Sequence, residues 1–186
     1  VIREPLKALF YKILGVLRPN SGRYLQYLQW ERYRAAMAAG SKREVEFNEE
    51  GFTNGPSAYD VFVLPVIDWE FRHQRPQQIA LQFARRGHRV FYFRTTFASN
   101  ERYEPTAHEV APGVFTISLP CTGRPPVIYS ETLTPAQLES VLRGIEFLRA
   151  RLRVGAVVSV VDHPFWTPVC ERMTNHRIVY DCMDHH

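Results

Sequence analysis

The stretch Asp60-Val-Phe-Val-Leu64, followed by Pro65-Val-Ile-Asp-Trp-Glu-Phe-Arg-His-Gln-Arg-Pro76, decides the fold. A nearly unbroken apolar run of this length is what a strand buried on both faces requires, and such strands belong to parallel sheets. Pro65 has no N–H to give to a ladder, so the strand ends there. Pro76 suits the first turn of a helix, where its missing N–H is not needed. Ile79 and Phe83, with Ala80 and Ala84, supply an apolar stripe. Arg85 and Arg86 complement the negative end of that helix, and Gly87 fits its left-handed cap. A second apolar strand runs from Arg89 to Phe93. Strand, helix and strand in this order make a βαβ unit.

The same alternation continues downstream. Val114 to Leu119 reads as a third strand. Thr134-Pro135-Ala136-Gln137 is a capping box with proline in the first turn, opening a helix through Leu138, Leu142, Ile145, Leu148 and Leu152. Gly155 ends it, and Ala156 to Val161, apolar except for Ser159, is a fourth strand. Thr167-Pro168 starts a short helix to about Thr174, and Arg177 to Tyr180 is a fifth strand. The expected fold is α/β: a Rossmann-like, mostly parallel sheet over residues 60–186 with helices on both faces.

Upstream the composition changes. Leu6, Leu9, Phe10, Ile13, Leu14 and Leu17 recur at helical spacing among Arg3, Lys7 and Lys12. Pro19-Asn20-Ser21-Gly22 breaks that helix. A second, from Arg23 to Ala39, carries Tyr24, Tyr27, Leu28, Trp30 and Tyr33 on one face and stops at Gly40. Residues 1–50 are expected to be a helical extension and 51–59, with Asn54-Gly55-Pro56, a linker. Two readings of the basic opening stay open: a helix lying on an anionic membrane surface, or a helical hairpin docked on the following domain or on a neighbouring segment.

The 186 residues are 45% apolar and 23% charged, which excludes disordered and collagen-like classes. A chain of this length buries a core without disulfides. No apolar run reaches about 18 residues, so no transmembrane helix is expected, and the charged opening argues against a signal peptide. Cys121, Cys170 and Cys182 form no C-x-x-C pair, and a cytoplasmic location is expected, with peripheral contact at the inner membrane face through residues 1–50. The net charge of +4 is mild, and Asp and Glu interleave with the basic residues, so nucleic acid is not an expected partner.

In an open parallel sheet, ligands bind beyond the carboxyl ends of the strands, where the strand order reverses. The loops at 65–76, 162–167 and 181–186 would then carry the chemistry. The first contains no glycine, which argues against a dinucleotide cofactor, and no G-x-x-x-x-G-K-[ST] occurs anywhere. It offers instead Trp69, Arg72, His73, Gln74 and Arg75, a set suited to sugars, whose C–H faces pack on aromatics, or to phosphate, through guanidinium forks. An alternative has Trp69 and Phe71 packing under the loop, with the arginines paired to Glu70 and solvent. Asp162-His163-Pro164-Phe165-Trp166 places a histidine at a strand end, able to donate to a hydroxyl or act as general base, or simply to be structural. Asp181, Asp184, His185 and His186 have no standard metal-ligand spacing, and no metal is expected.

These residues also resemble a family. Trp69-x-x-Arg72-x-Gln74-Arg75-Pro76-Gln77-Gln78, the helix ending Ala84-Arg-Arg-Gly87-His88-Arg-Val90, Asp162-x-Pro164-x-Trp166-x-Pro168 and Val179-Tyr180-Asp181-Cys182-Met183-Asp184 are similar to the N-terminal domain of group-one (family-four-like) bacterial glycosyltransferases with the GT-B fold. The resemblance covers about 60–186. It implies an acceptor-binding half that works with a second Rossmann-like domain absent from this chain, which would hold a nucleotide-sugar donor as substrate rather than as a cofactor. It further implies transfer to a glycan or lipid-linked acceptor, with the fragment inactive alone. Matched by position, Arg75 and the helix at Pro76 would face the donor diphosphate, His163 the transferred sugar, and Trp69 an acceptor. Arg72, Gln74, Asp162, Trp166, Asp181 and Asp184 would complete the substrate-binding set. A non-catalytic carbohydrate- or partner-binding module, or a membrane-surface adaptor, are the rival readings.

Overall fold

The computed structural model describes residues 43–47, 52, 58–98 and 104–182. The helices expected within 1–40, and Asp184 with its two following histidines, lie outside the described residues. Contacts divide the chain into 1–41 and 42–186, and only the second unit is described.

The elements in order are β1 (Arg43–Glu44), β2 (Asp60–Leu64), α1 (Arg75–Arg85), β3 (Val90–Phe93), β4 (Thr106–Ala111), β5 (Val114–Ser118), α2 (Pro135–Arg151), β6 (Val157–Val161), a 3₁₀ turn (Pro164–Trp166), α3 (Thr167–Arg172) and β7 (His176–Tyr180). They build a seven-stranded sheet in the order β1-β4-β5-β3-β2-β6-β7. The five strands read from the sequence are all parallel and lie in the spatial order third, second, first, fourth, fifth. The order therefore reverses between β2 and β6.

Side chains alternate across the sheet. Phe62, Leu64, Phe91, Phe93, Phe115, Ile117, Val157 and Val161 join one core with Val141, Leu142, Ile145 and Leu148 of α2 and Val169 and Cys170 of α3. Val61, Val63, Val90, Tyr92 and Val114 point to the opposite face and are equally buried. Right-handed crossovers put α1 on that second face, where it packs against β2, β3 and β5. Its buried side runs through Pro76, Gln77, Ala80 and Ala84, with Ile79 and Phe83 at the margin. Gly87, at φ +90°, closes α1 as its sequence position suggested. The expected capping box opens α2: Thr134 Oγ1 accepts from the Gln137 N–H, and Gln137 Oε1 accepts from the Thr134 N–H at 2.9 Å.

Three features depart from the expected plan. The connection from β3 to β5 carries no helix among its described residues. Instead β4 pairs antiparallel with β5 through a tight turn at Pro112-Gly113, where Gly113 has φ +74°. Such a strand, half open to water, lacks the unbroken apolar run that marks its neighbours. Residues before 60 also belong to the sheet domain. β1 pairs with β4, and Phe52 is buried between Phe47 (centroids 5.4 Å) and Phe115 (4.6 Å), so the extension and linker expected over 1–59 give way to core near Val45. Finally, β7 is an edge. Ile178, Val179 and Tyr180 are about half exposed instead of buried on both faces.

The amino end of the sheet is fastened by an ion pair. Arg89 grips both oxygens of Asp60 at 2.7 Å and donates to the Leu152 carbonyl. On the α2 face, Gly144 lies against Pro120 so closely that a Cβ there would stand 2.5 Å from Pro120 Cδ.

Candidate functional site

The register brings three chain segments off the sheet at one level. Leu64 pairs with Val161, and Val161 with Tyr180. The ladder then runs one bond further, with the Asp162 N–H donating to Leu64 O and the Asp181 N–H to Val161 O. Pro65, Asp162 and Asp181 consequently stand side by side at the carboxyl edge, across the point where strand order reverses. This is where the topology of an open α/β sheet leaves a crevice.

The glycine-free loop from Pro65 to Gln74 is held by side chains rather than by turn glycines. Trp69 is fully buried, its ring edge-on to Tyr92 at 5.1 Å. The Tyr92 hydroxyl donates to Ile67 O at 2.8 Å. Asp68 accepts from the Thr95 N–H and the Thr96 hydroxyl, both at 2.6 Å, which ties the loop to the end of β3. Gln77 completes the brace. Its amide donates to Arg72 O at 2.8 Å, and its carbonyl accepts from the Gln74 N–H at 3.0 Å. Buried polar groups require such partners, and here they fix the entry of α1.

That entry aims Arg75. Its guanidinium is bidentate on Asp181, with Nε at 2.8 Å from Oδ2 and Nη2 at 2.7 Å from Oδ1, and Nη2 also donates to Cys182 O at 3.0 Å. The side chain thus reaches from the start of α1 past β6 to the end of β7, and is still 49% exposed. Asp162 is the opposite case. It is wholly removed from water, and neither carboxylate oxygen has a hydrogen-bond partner. Burial, then the Asp181 charge, push its carboxyl from 3.8 up to about 7, with Arg75 pulling the other way.

His163 follows directly and is nearly buried. Its Nδ1 accepts the Phe165 N–H at 3.1 Å, capping the 3₁₀ turn. With Nδ1 so engaged, the neutral ring carries its proton on Nε2 and can donate from there. Tyr129 stands edge-on to His163 at 5.7 Å and donates its hydroxyl to Val66 O at 2.9 Å. Trp166 is fully buried and donates from Nε1 to Pro65 O at 2.8 Å, lacing the second loop to the first.

The three loops named from the sequence therefore meet along one edge, but their residues divide into two kinds. Arg75, Asp162, His163 and Asp181 gather at the crevice. Trp69 offers no face to an acceptor, because Tyr92 and the loop enclose it. Trp166 likewise spends its polar atom on the backbone, so neither tryptophan serves as a substrate platform. Gln74 is the N-cap residue of α1. Arg72 lies over the exposed ring of Phe71 at 5.7 Å, so Phe71 does not pack beneath the loop. Glu70 pairs with Arg94, not with Arg72 or Arg75. Burial holds the His73 imidazole below its usual value, which keeps it neutral.

Two residues were missed. Tyr129 lies on the loop after β5, another carboxyl-end loop that the same topological rule would have flagged. Gln77 falls three residues before Ala80 on the buried stripe of α1, where a polar side chain needs an explanation. Among the described residues no group of three or more His, Cys, Asp or Glu could hold a metal ion, and no helix is long and apolar enough to cross a membrane. Set against family models, curated proteins and solved structures, the chain matches none.

Proposed function

We propose that the sheet domain is the acceptor-side half of a glycosyltransferase, which works with a second nucleotide-sugar-binding domain to move a sugar onto a glycan or lipid-linked acceptor. One observation carries this reading. The crevice at the reversal of strand order is furnished with a guanidinium, an imidazole and two carboxyls, where a dinucleotide fold would place glycine amides. Such groups suit polyol hydroxyls and the charge that gathers on a departing diphosphate. Arg75 faces that charge, His163 donates from Nε2 to a sugar hydroxyl, and the exposed ring of Tyr129 takes the stacking role first given to Trp69.

The test is release of nucleoside diphosphate from a panel of nucleotide sugars by the full-length protein, in the presence of candidate lipid-linked acceptors. Arg75→Ala and His163→Ala should each lower turnover by about 100-fold, the loss typical of one electrostatic donor at a developing charge. Near-normal turnover in both variants would remove these residues from the site. Absence of transfer from every donor would leave a binding module.

A further inference from the structure

Two carboxyl groups and one guanidinium share the crevice. Asp162 follows β6 in register with Asp181 after β7, and Arg75 reaches from α1 to hold Asp181 and Cys182 O. The Arg75 guanidinium is what lets two neighbouring carboxyls ionise together: it pairs bidentately with Asp181 and its charge also favours the ionised form of Asp162. Asp162, buried and with neither oxygen hydrogen-bonded, is the one that burial pushes toward the protonated form, so above neutrality it ionises at a cost that the nearby cation offsets. The other groups facing it leave this balance intact. From the β7 end, Tyr180 presents a phenol whose pKa is raised, so it stays neutral. From the 3₁₀ turn, His163 has Nδ1 occupied by the Phe165 N–H, and in the β2–α1 loop burial disfavours the charged form of His73.

We infer that the crevice binds a diphosphate together with a proton: the anion draws Arg75 off Asp181, and the Asp162–Asp181 pair takes up a proton from solvent in exchange. This deepens the proposed function and rests on Arg75 facing the anionic part of the donor. Once the guanidinium turns to the ligand, two adjacent carboxyls are left with no cation, and both cannot remain charged. The protonated acid then becomes a donor toward a phosphate oxygen, which a carboxylate would repel. Binding thus strengthens as pH falls.

The experiment is titration calorimetry with P1,P2-dimethyl diphosphate, a dianion that does not itself titrate near neutrality. It is run near pH 7.5 in two buffers of different ionisation heat. Wild type should take up about one proton per ligand, and above pH 7 its affinity should fall about tenfold per pH unit. Asp162→Asn should bind with uptake abolished, Asp181→Asn with uptake reduced, and Arg75→Ala should not bind. Binding without proton exchange, uptake unchanged in Asp162→Asn, full affinity in Arg75→Ala, or no binding by wild type would each overturn the coupling. Binding without exchange leaves the glycosyltransferase reading standing. Uptake as expected, with no glycosyl transfer by the full-length protein, sinks that reading and leaves the coupling.

Discussion

Replacing Asp162 by Asn should change how stability depends on pH. In the folded chain the carboxyl keeps its proton up to about pH 7, whereas unfolded it loses it near 3.8. Between those values the folded state binds the extra proton. Stability therefore falls as pH rises through this window, and the full cost is present above it. A gap from 3.8 to about 7, at about 1.4 kcal/mol per pH unit, amounts to about 4 kcal/mol. About 3 kcal/mol of this falls between pH 5 and pH 8.5. Asn is nearly isosteric and cannot ionise, so the variant should lack that component. Urea unfolding of both proteins at several pH values isolates it, because every other titrating group is common to the two. With a protonated Asp and Asn taken as equivalent, the expected result is a variant about 1–2 kcal/mol more stable at pH 5 and about 4 kcal/mol more stable at pH 8.5. A stability difference that stays constant with pH would show that Asp162 is charged and satisfied, and would refute the reasoning.

Two further changes test the packing that positions the crevice. Gly144→Ala drives a Cβ into the rigid ring of Pro120. Overpacking at about 1–3 kcal/mol set against a gain of about 1 kcal/mol in helix propensity leaves a net destabilisation of up to about 2 kcal/mol, which should appear in thermal unfolding. Gln77→Ala strips partners from Arg72 O and the Gln74 N–H, which should cost about 2–4 kcal/mol in urea unfolding. It should also loosen Arg75, so binding of the dimethyl diphosphate should weaken; unchanged binding would show that the loop holds its shape without the clamp.

The parallel strands were legible because burial on both faces leaves only one kind of residue. Asp60–Leu64 and Val157–Val161 carry that signal, whereas the reversal between the first and fourth strands was read only on the condition that the sheet has the usual strand order, which it does. β4 was not legible. Its Ala107 alone turns fully inward, and His108 and Glu109 look like loop residues until paired with β5. Phe52 was hidden for a different reason: a single aromatic between glycines has no periodicity, and only its packing on Phe47, Phe91 and Phe115 reveals it as core. At the site, the sequence located the loops but not the direction of their side chains. Trp69 and Trp166 drew attention as unusual residues, yet a large ring on a loop beside a sheet end finds more apolar surface underneath than outside. Position along the strand order separated Arg75 and Asp181, which are 106 residues apart in the chain and share two hydrogen-bonding geometries in space.

The absence of glycine in the first loop means that a ligand in the crevice would be met by side chains. Glycine lets backbone amides approach a phosphate closely, and such amides are fixed in place and in charge. Here Trp69, Tyr92 and Gln77 fill the space behind the loop, and its carbonyls at 67 and 72 are already committed. In the function proposed above, anion recognition would fall to the half-exposed Arg75 guanidinium. A cation that moves changes the field at every group it leaves, and the group it leaves most exposed to that change is a buried carboxyl with no other partner. A backbone site would bind its anion at constant protonation. If Arg75 leaves Asp181 for the anion, as inferred above, the proton becomes part of the ligand.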